Sequence, residues 1–290
     1  MKLTLKISEN DAGRVLKRVL RDRLCLSTAM LRRAKTDGQI LLNGKNVFVT
    51  AAVTAGDIIE VYFPEEETDF PAEAGPVSVL WEDEYFIAAD KPAGIITHPT
   101  HSRCSGTLAN FVLFYSLANG GAGCHAVNRL DRDTGGIILF AKNAYAKSVA
   151  SAITYEKTYL AVVYGCPADD SGTIDLPIKR ANDIDMRRIT APDGAPSLTH
   201  YRVLERHNGF SLVQLRLETG RTHQIRVHMS ALGHPLLGDR LYGSDASLAL
   251  SETLAIPHQL LHAAGLRFRH PVSGEEVSLV SAPEWPFFFS

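Results

Sequence analysis

Apolar residues recur along the chain with two periods, about 3.6 and about 2, and the changes of period divide it into elements. Val15, Val19 and Leu20 return at helical spacing with Arg14, Lys17, Arg18 and Arg21 interleaved. Ser27 reads as the N-cap of a second helix that turns Met30, Leu31 and Ala34 inward and Arg32, Arg33 and Lys35 outward, with Gly38 as its stop. Residues 40–45 read as a strand entering an Asn43-Gly44 turn, and residues 56–62 as a closing strand. The segment from Pro64 to Pro76 is acidic, carries prolines and lacks any period, which predicts a linker. Beyond it, runs at 77–80, 137–141, 159–164, 212–217, 265–268 and 277–280 are strand-like. One helix is predicted at 144–153 through Tyr145, Val149 and Ile153. Another is predicted after Gly220, with Ile225, His228, Met229 and Leu232 on one face and Gly233 as its stop. The expected organisation is a small module at 1–63, a linker at 64–76 and a mixed α+β domain at 77–290.

A chain of 290 residues accommodates a large domain with a small companion. No apolar run approaches the ~20 residues that a membrane-spanning helix needs. The first ten residues alternate in polarity and lack the apolar stretch of a secretory signal. Cysteines 25, 104, 124 and 166 form no C-x-x-C pair, which points to a reducing cytoplasm. The net charge of −2 hides an uneven distribution: residues 1–45 carry a balance of +7 and the rest −9. A basic head on an acidic body suggests that the head meets a polyanion. Two short helices rich in Arg and Lys beside a small sheet resemble the S-four-like RNA-binding module of ribosomal proteins. Arg14, Lys17, Arg18, Arg32 and Arg33 are therefore expected phosphate contacts, against the plainer reading of a solvated basic face.

The densest polar block is Asn128-Arg129-Leu130-Asp131-Arg132-Asp133-Thr134-Gly135-Gly136, directly before the apolar run 137–140. An acid between two arginines at the mouth of a buried strand has its charged form favoured, and the glycines allow close approach of a ligand. Such an aspartate suits a nucleophile or a base. It equally suits a turn cap paired with arginine, and the block alone leaves both open. A second block, residues 219–228, gathers Arg221, His223, Gln224, Arg226 and His228 where a strand passes into a helix, whose free N–H groups attract phosphate or carboxylate. Lys91-Pro92-Ala93-Gly94 reads as a rigid turn after a strand, and Tyr159 stands at the head of another. Lys179, Arg180, Arg187 and Arg188 belong to a loop suited equally to an RNA groove and to solvent.

These stretches together resemble the pseudouridine synthases of the RluA family over nearly the whole chain. The landmarks are KPAG at 91–94, HP at 98–99, GTL at 106–108, NRLDRDTGG at 128–136, KTYLAVVYG at 157–165, the run TGRTHQIRVHMSALGHPLLGDRLYG at 219–243, LLHA at 260–263 and HPVSGE at 270–275. The resemblance implies a bent, mostly antiparallel sheet with a central cleft. It also implies isomerisation of uridine within RNA, without metal or cofactor: the base leaves C1′ at N1, turns, and reattaches through C5. By position, Asp131 is the implied nucleophile or base, and Tyr159 the ring that stacks on the base and serves proton removal at C5. Arg221 is the implied cation that pairs with the aspartate, and Arg129 the group that fills the space of the extruded uridine or holds its phosphate. The implied target is RNA, most often of the large ribosomal subunit and otherwise tRNA, and the implied state is a monomer. Against the family pattern H-R-L-D-x-x-T-S-G, this chain has Asn128 for the histidine and Gly135 for the serine, differences that bear on substrate choice.

Other chemistries fit the residues less well. His98-x2-His101-x2-Cys104 is a weak metal spacing with no companion pair. His223 and His228 stand five apart, not the four of a metalloprotease helix, and no G-x-S-x-G elbow or nucleotide-binding glycine motif occurs. A binding-only protein has no need of Asp131, Tyr159 and Arg221 together. A glycosidase normally shows two cooperating carboxylates, for which Asp133 is the one candidate partner. Tyr242, after Gly238-Asp239-Arg240, suits closure of the pocket, though a packed core position suits it better.

Overall fold

The computed structural model describes residues 1–64, 68–100, 103–151, 153–182 and 186–285. The first of these segments builds the head. Strands Lys2–Lys6, Ile58–Tyr62, Gln39–Leu42 and Lys45–Asn46 pair antiparallel in that spatial order. Helices Leu16–Arg23 and Thr28–Thr36 bury Leu16, Val19, Leu20, Met30, Leu31 and Ala34. The predicted cap is present, Ser27 Oγ accepting from the Met30 amide at 3.2 Å. So is the turn: Asn43 and Gly44 both have positive φ, 51° and 74°, the pair a two-residue hairpin of right-handed twist requires. Val15, read as a helix position, instead precedes the first helix and is exposed.

The head's apolar core is continuous with that of the body. One cluster contains Leu16, Leu26 and Leu31 together with Phe86, Tyr145, Val149 and Phe268. Residues 65–67 of the predicted linker lie outside the described residues.

The body is one ten-stranded sheet of the mixed, mostly antiparallel kind expected. Its main path runs Ser171–Asp175, Leu198–His207, Phe210–Leu217, Glu156–Tyr164, Leu261–Arg269, Gly135–Ala141, Phe86–Lys91 and Ser78–Glu82. Every pairing is antiparallel except one, between Leu261–Arg269 and Gly135–Ala141, which lies in the middle of the path. There the backbones approach closely. A Cβ at Gly136, whose φ is +104°, would meet the Ala263 carbonyl oxygen at 2.3 Å. Register shifts at Ala263/Gly265, Val203/Glu205 and Val79/Trp81 mark bulges, the local device by which a strand bends.

Strand Gly135–Ala141 is buried along its whole length, which explains its unbroken apolar run. Ile138 and Phe140 face helix Leu108–Ala118 through Leu108, Val112 and Leu113. Ile137 and Leu139 lie in the cluster of Tyr145 and Val149, from helix Ala144–Ala150. That helix ends three residues earlier than predicted, and Ile153 packs beyond its end. The pattern did not predict helix Leu108–Ala118 because eleven residues with only Asn110 and Ser116 strongly polar show no amphipathic period. Helix Gln224–Ala231 lies on the sheet through Ile225 and Met229, against Tyr159, Val213 and Leu215, and Gly233 follows it with φ +89°. Among the described residues no helix is long and apolar enough to cross a membrane.

Candidate active site

The loop holding Asp131 is fixed from below by the segment at 91–97. Lys91 is buried, and its ammonium donates to the carbonyls of Pro92 at 2.9 Å, Ile95 at 2.7 Å and Arg132 at 2.8 Å. Burial lowers the Lys91 pKa to about 8, against the opposing pull of Asp133 and Asp131. Gly94, at φ +90°, donates its N–H to the same Arg132 carbonyl, and Thr97 Oγ1 donates to Leu130 O at 2.9 Å. Lys91 and Gly94 thus pin the Arg132 end of Leu130–Arg132, and Thr97 the Leu130 end. Asn128 serves the same purpose: its amide donates to Ile137 O at 3.3 Å and accepts from Leu139 N at 2.8 Å. Its side chain thus clamps the strand that follows the loop.

Asp131 keeps 30% of its side chain exposed in a cleft with Arg129, Tyr159, Arg221, His223 and Arg226. The register explains why Tyr159 is there. Tyr159 pairs with Ala263, and Ala263 with Gly136, so Tyr159 sits two strands away from the end of the Asp131 loop. Burial, with the Asp131 charge second, pushes the Tyr159 phenol up to about 12.

The cation that meets Asp131 is Arg226, not Arg221. Arg226 Nη1 donates to Asp131 Oδ2 at 3.0 Å, while its Nε and Nη2 donate to the two oxygens of Asp239 at 2.7 and 2.9 Å. Asp239 is fully buried and also accepts the amides of Leu241 and Tyr242. Burial pulls the Arg226 pKa down, but the hydrogen bonds and charges of Asp239 and Asp131 outweigh it and hold it above its ordinary value. Arg221 lines the cleft, yet it precedes the helix, is exposed, and turns its Nε to the Pro196 carbonyl at 3.2 Å. Neither arginine flanking Asp131 in sequence pairs with it: Arg132 grips Asp133 with two bonds of 2.9 Å, and Arg129 is exposed.

His223 and Tyr242 complete the wall. His223 adopts φ +59°, an uncommon conformation for a residue with a side chain, at the start of the helix. Its Nδ1 lies 2.8 Å from Tyr242 Oη and its Nε2 3.7 Å from Asp131 Oδ2. Burial lowers its pKa most, partly offset by Asp131. The Arg226 guanidinium stands 5.0 Å from the centre of the Tyr242 ring, so this tyrosine, packed in the core as the preferred reading had it, backs the site. Gln224 ties the turn together, accepting from Thr219 Oγ1 and the Arg221 amide at 2.9 Å and donating to Leu198 O and Thr199 Oγ1 at 3.0 Å. His228 is wholly buried. Its Nε2 must donate to Leu176 O at 2.9 Å, so its Nδ1 accepts from Thr199 Oγ1, and it is structural.

The cleft encloses about 80 Å³, well under the ~300–1,000 Å³ of small-molecule pockets. Arg129 and Arg221 line it with exposed side chains. A larger cavity, about 610 Å³, borders Asp90, His258, His262 and Trp285 but neither Asp131 nor Tyr159. Strands Ile178–Arg180 and Arg188–Thr190 form a ribbon over the site's edge: the Arg188 amide donates to Tyr242 Oη at 2.9 Å, and Arg187 lies 6.0 Å from that ring. Arg180 is exposed, Lys179 pairs with Asp193 at 2.8 Å, and residues 183–185 lie outside the described residues. So does His101 of the weak metal spacing. In the head, Arg14 is bonded to Asp11 at 2.6 Å and to Asp22, whereas Lys17, Arg18 and Arg32 are exposed.

Fold and cleft bring one partly exposed carboxylate onto a buried guanidinium. The family model described as RNA pseudouridylate synthase matches residues 85–231, the stretch that holds Asp131, Tyr159 and Arg226. The chain belongs to this family and is an RNA pseudouridine synthase, an isomerase. It is 40% identical over 247 residues to the uncharacterized RNA pseudouridine synthase YjbO of Bacillus subtilis, covering 83% of this chain and 85% of that one. It is 36% identical over 293 residues to ribosomal large subunit pseudouridine synthase D of Xanthomonas campestris, covering 96% and 87%. Among solved structures, human RNA pseudouridylate synthase domain containing 1 superposes with a TM-score of 0.60 at 28% identity, over 73% of this chain and 86% of that one.

Proposed function

We propose that this enzyme isomerises a uridine of large-subunit ribosomal RNA, with Asp131 as the group that starts the reaction. The observation that carries the assignment of roles is the chain Asp131–Arg226–Asp239: an accessible carboxylate on a guanidinium that a buried acid holds in place. The N1–C1′ bond breaks, the C5–C1′ bond forms, C5 loses its proton and N1 gains one, so the mass is unchanged. Asp131 acts either by attack at C1′ or by removing a ribose proton. Arg129 takes the space or the phosphate of the everted nucleotide, whose unstacking costs a few kcal/mol.

Tyr159 stacks on the base and serves the proton at C5. Burial keeps its phenol protonated at pH 7, so no phenolate stands ready before the base arrives.

The head, residues 1–63, is an S-four-like module that grips phosphates through Lys17, Arg18, Arg32 and Arg33. The ribbon carrying Arg180, Arg187 and Arg188 adds contacts beside the cleft. The enzyme works as a monomer in the cytoplasm. The choice of large-subunit RNA is supported by the similarity to the ribosomal large subunit enzyme of Xanthomonas. Pseudouridine mapping tests it: unmodified large-subunit RNA and bulk tRNA are incubated with the enzyme. New pseudouridine in the ribosomal RNA supports the reading, and conversion confined to tRNA refutes it.

A further inference from the structure

Phe48 is the most exposed large apolar side chain among the described residues, at 85%. The exposure is built in. Val47 and Val49 on either side pack against the core, and the Val49 carbonyl is fixed by the Lys17 amide at 2.8 Å, which leaves Phe48 between them facing outward. It is not an isolated apolar spot. It borders a cavity of about 310 Å³ that also presents Lys35, Gln39 and Asn46. Lys35 and Val49 are shared with a second cavity, about 180 Å³, that adds Lys17 and Arg32. Gln39 Nε2 donates to Asn46 Oδ1 at 2.9 Å, an arrangement that leaves the glutamine oxygen as an acceptor and the asparagine nitrogen as a donor.

We propose that this corner of the head is a nucleotide subsite in which the Phe48 ring stacks on one unpaired base of the substrate RNA. The Gln39 and Asn46 amides meet the base edge, and Lys35, Lys17 and Arg32 hold the adjoining phosphates. The inference rests on the RNA-binding role proposed above for the head and makes it specific for single-stranded nucleotides. An aromatic face beside three cations suits an unpaired base, because every base has a π-face and its neighbours carry phosphates. A paired base offers no face to such a ring.

The test uses the full-length enzyme and an oligocytidylate decamer with one central 2-aminopurine. The probe contains no uridine, so the catalytic cleft has no substrate base to take. Phe48→Leu is expected to weaken binding about five- to a hundredfold and to abolish the fluorescence quenching that accompanies stacking, while Phe48→Trp retains both. Affinity of Phe48→Leu for a duplex of the same length is expected to change less than twofold. A double variant, Lys17→Gln with Arg32→Gln, serves as the reference for the head itself. If it weakens binding and Phe48→Leu does not, the subsite is refuted and the RNA-binding head stands. If neither variant changes binding, the head's role fails as well, and Phe48 has to be assigned to a protein contact.

Discussion

The cleft and the head both depend on cations, held in opposite states. Arg226 is buried and all three of its nitrogens donate to carboxylates, two bonds to Asp239 and one to Asp131. Lys17, Arg18 and Arg32 are exposed, with no ion-pair partner among the described residues. A buried acid makes the difference, and the head repeats the lesson internally: Asp11, almost fully buried, converts Arg14 and Arg23 into structural groups while their neighbours remain available. Fixed charge orients a reacting group, and mobile charge neutralises phosphates wherever they lie.

The largest expected effect breaks the fixed pair. Arg226→Met leaves Asp239 buried without a counter-charge and should cost about 3–5 kcal/mol of stability together with loss of turnover. Urea unfolding at unchanged slope measures the first. A variant as stable as the parent would show that the guanidinium is not needed where it lies. Tyr159→Phe keeps the ring and removes the hydroxyl, so RNA affinity should hold while turnover drops by roughly 10²–10⁴. Parent-like turnover would reduce Tyr159 to a stacking surface.

A smaller effect sharpens the other side of the comparison. Arg18→Gln with Arg32→Gln should flatten the slope of log affinity against log salt by about 2, with little change in turnover on a short RNA. An unaltered slope would mean that these cations face solvent only. The smallest effect concerns pH. Burial holds His223, His228 and His262 below their ordinary value of 6.5. The unfolded chain takes up protons near 6.5 that the folded chain resists, so the stabilisation is complete above that pH and is lost progressively below it. The loss is at most about 1.4 kcal/mol per pH unit for each histidine. A urea midpoint that stays flat from pH 7.5 to 5.5 would contradict this.

Much of this was legible in the sequence because it is local. The Ser27 cap, the Asn43-Gly44 turn, the Gly233 stop and the buried strand after Gly135 are each set by residues within a few positions. Asp131 and Tyr159 were legible as motif positions, and the fold brings them together in one cleft. The partner of Asp131 was not. Arg221 and Arg226 belong to the same block, and which one reaches an acid 95 residues earlier depends on which face of the helix turns inward. One signal was present: Arg226 lies three residues before Met229, on the side that buries that methionine, whereas Arg221 precedes the helix. Asp239 was hidden for the same reason, since it acts only through Arg226. The continuity of head and body cores was equally invisible, because no local period records what Tyr145 and Val149 pack against.

Asp131 is the point on which the whole account turns, and tritium release from C5 of labelled uridine in RNA follows its chemistry directly. Asp131→Asn, which keeps the shape of the side chain and removes its charge, should release no tritium above background while binding the same RNA within a few fold. Release at the parent's rate would contradict the assignment and move the chemistry to another group in the cleft.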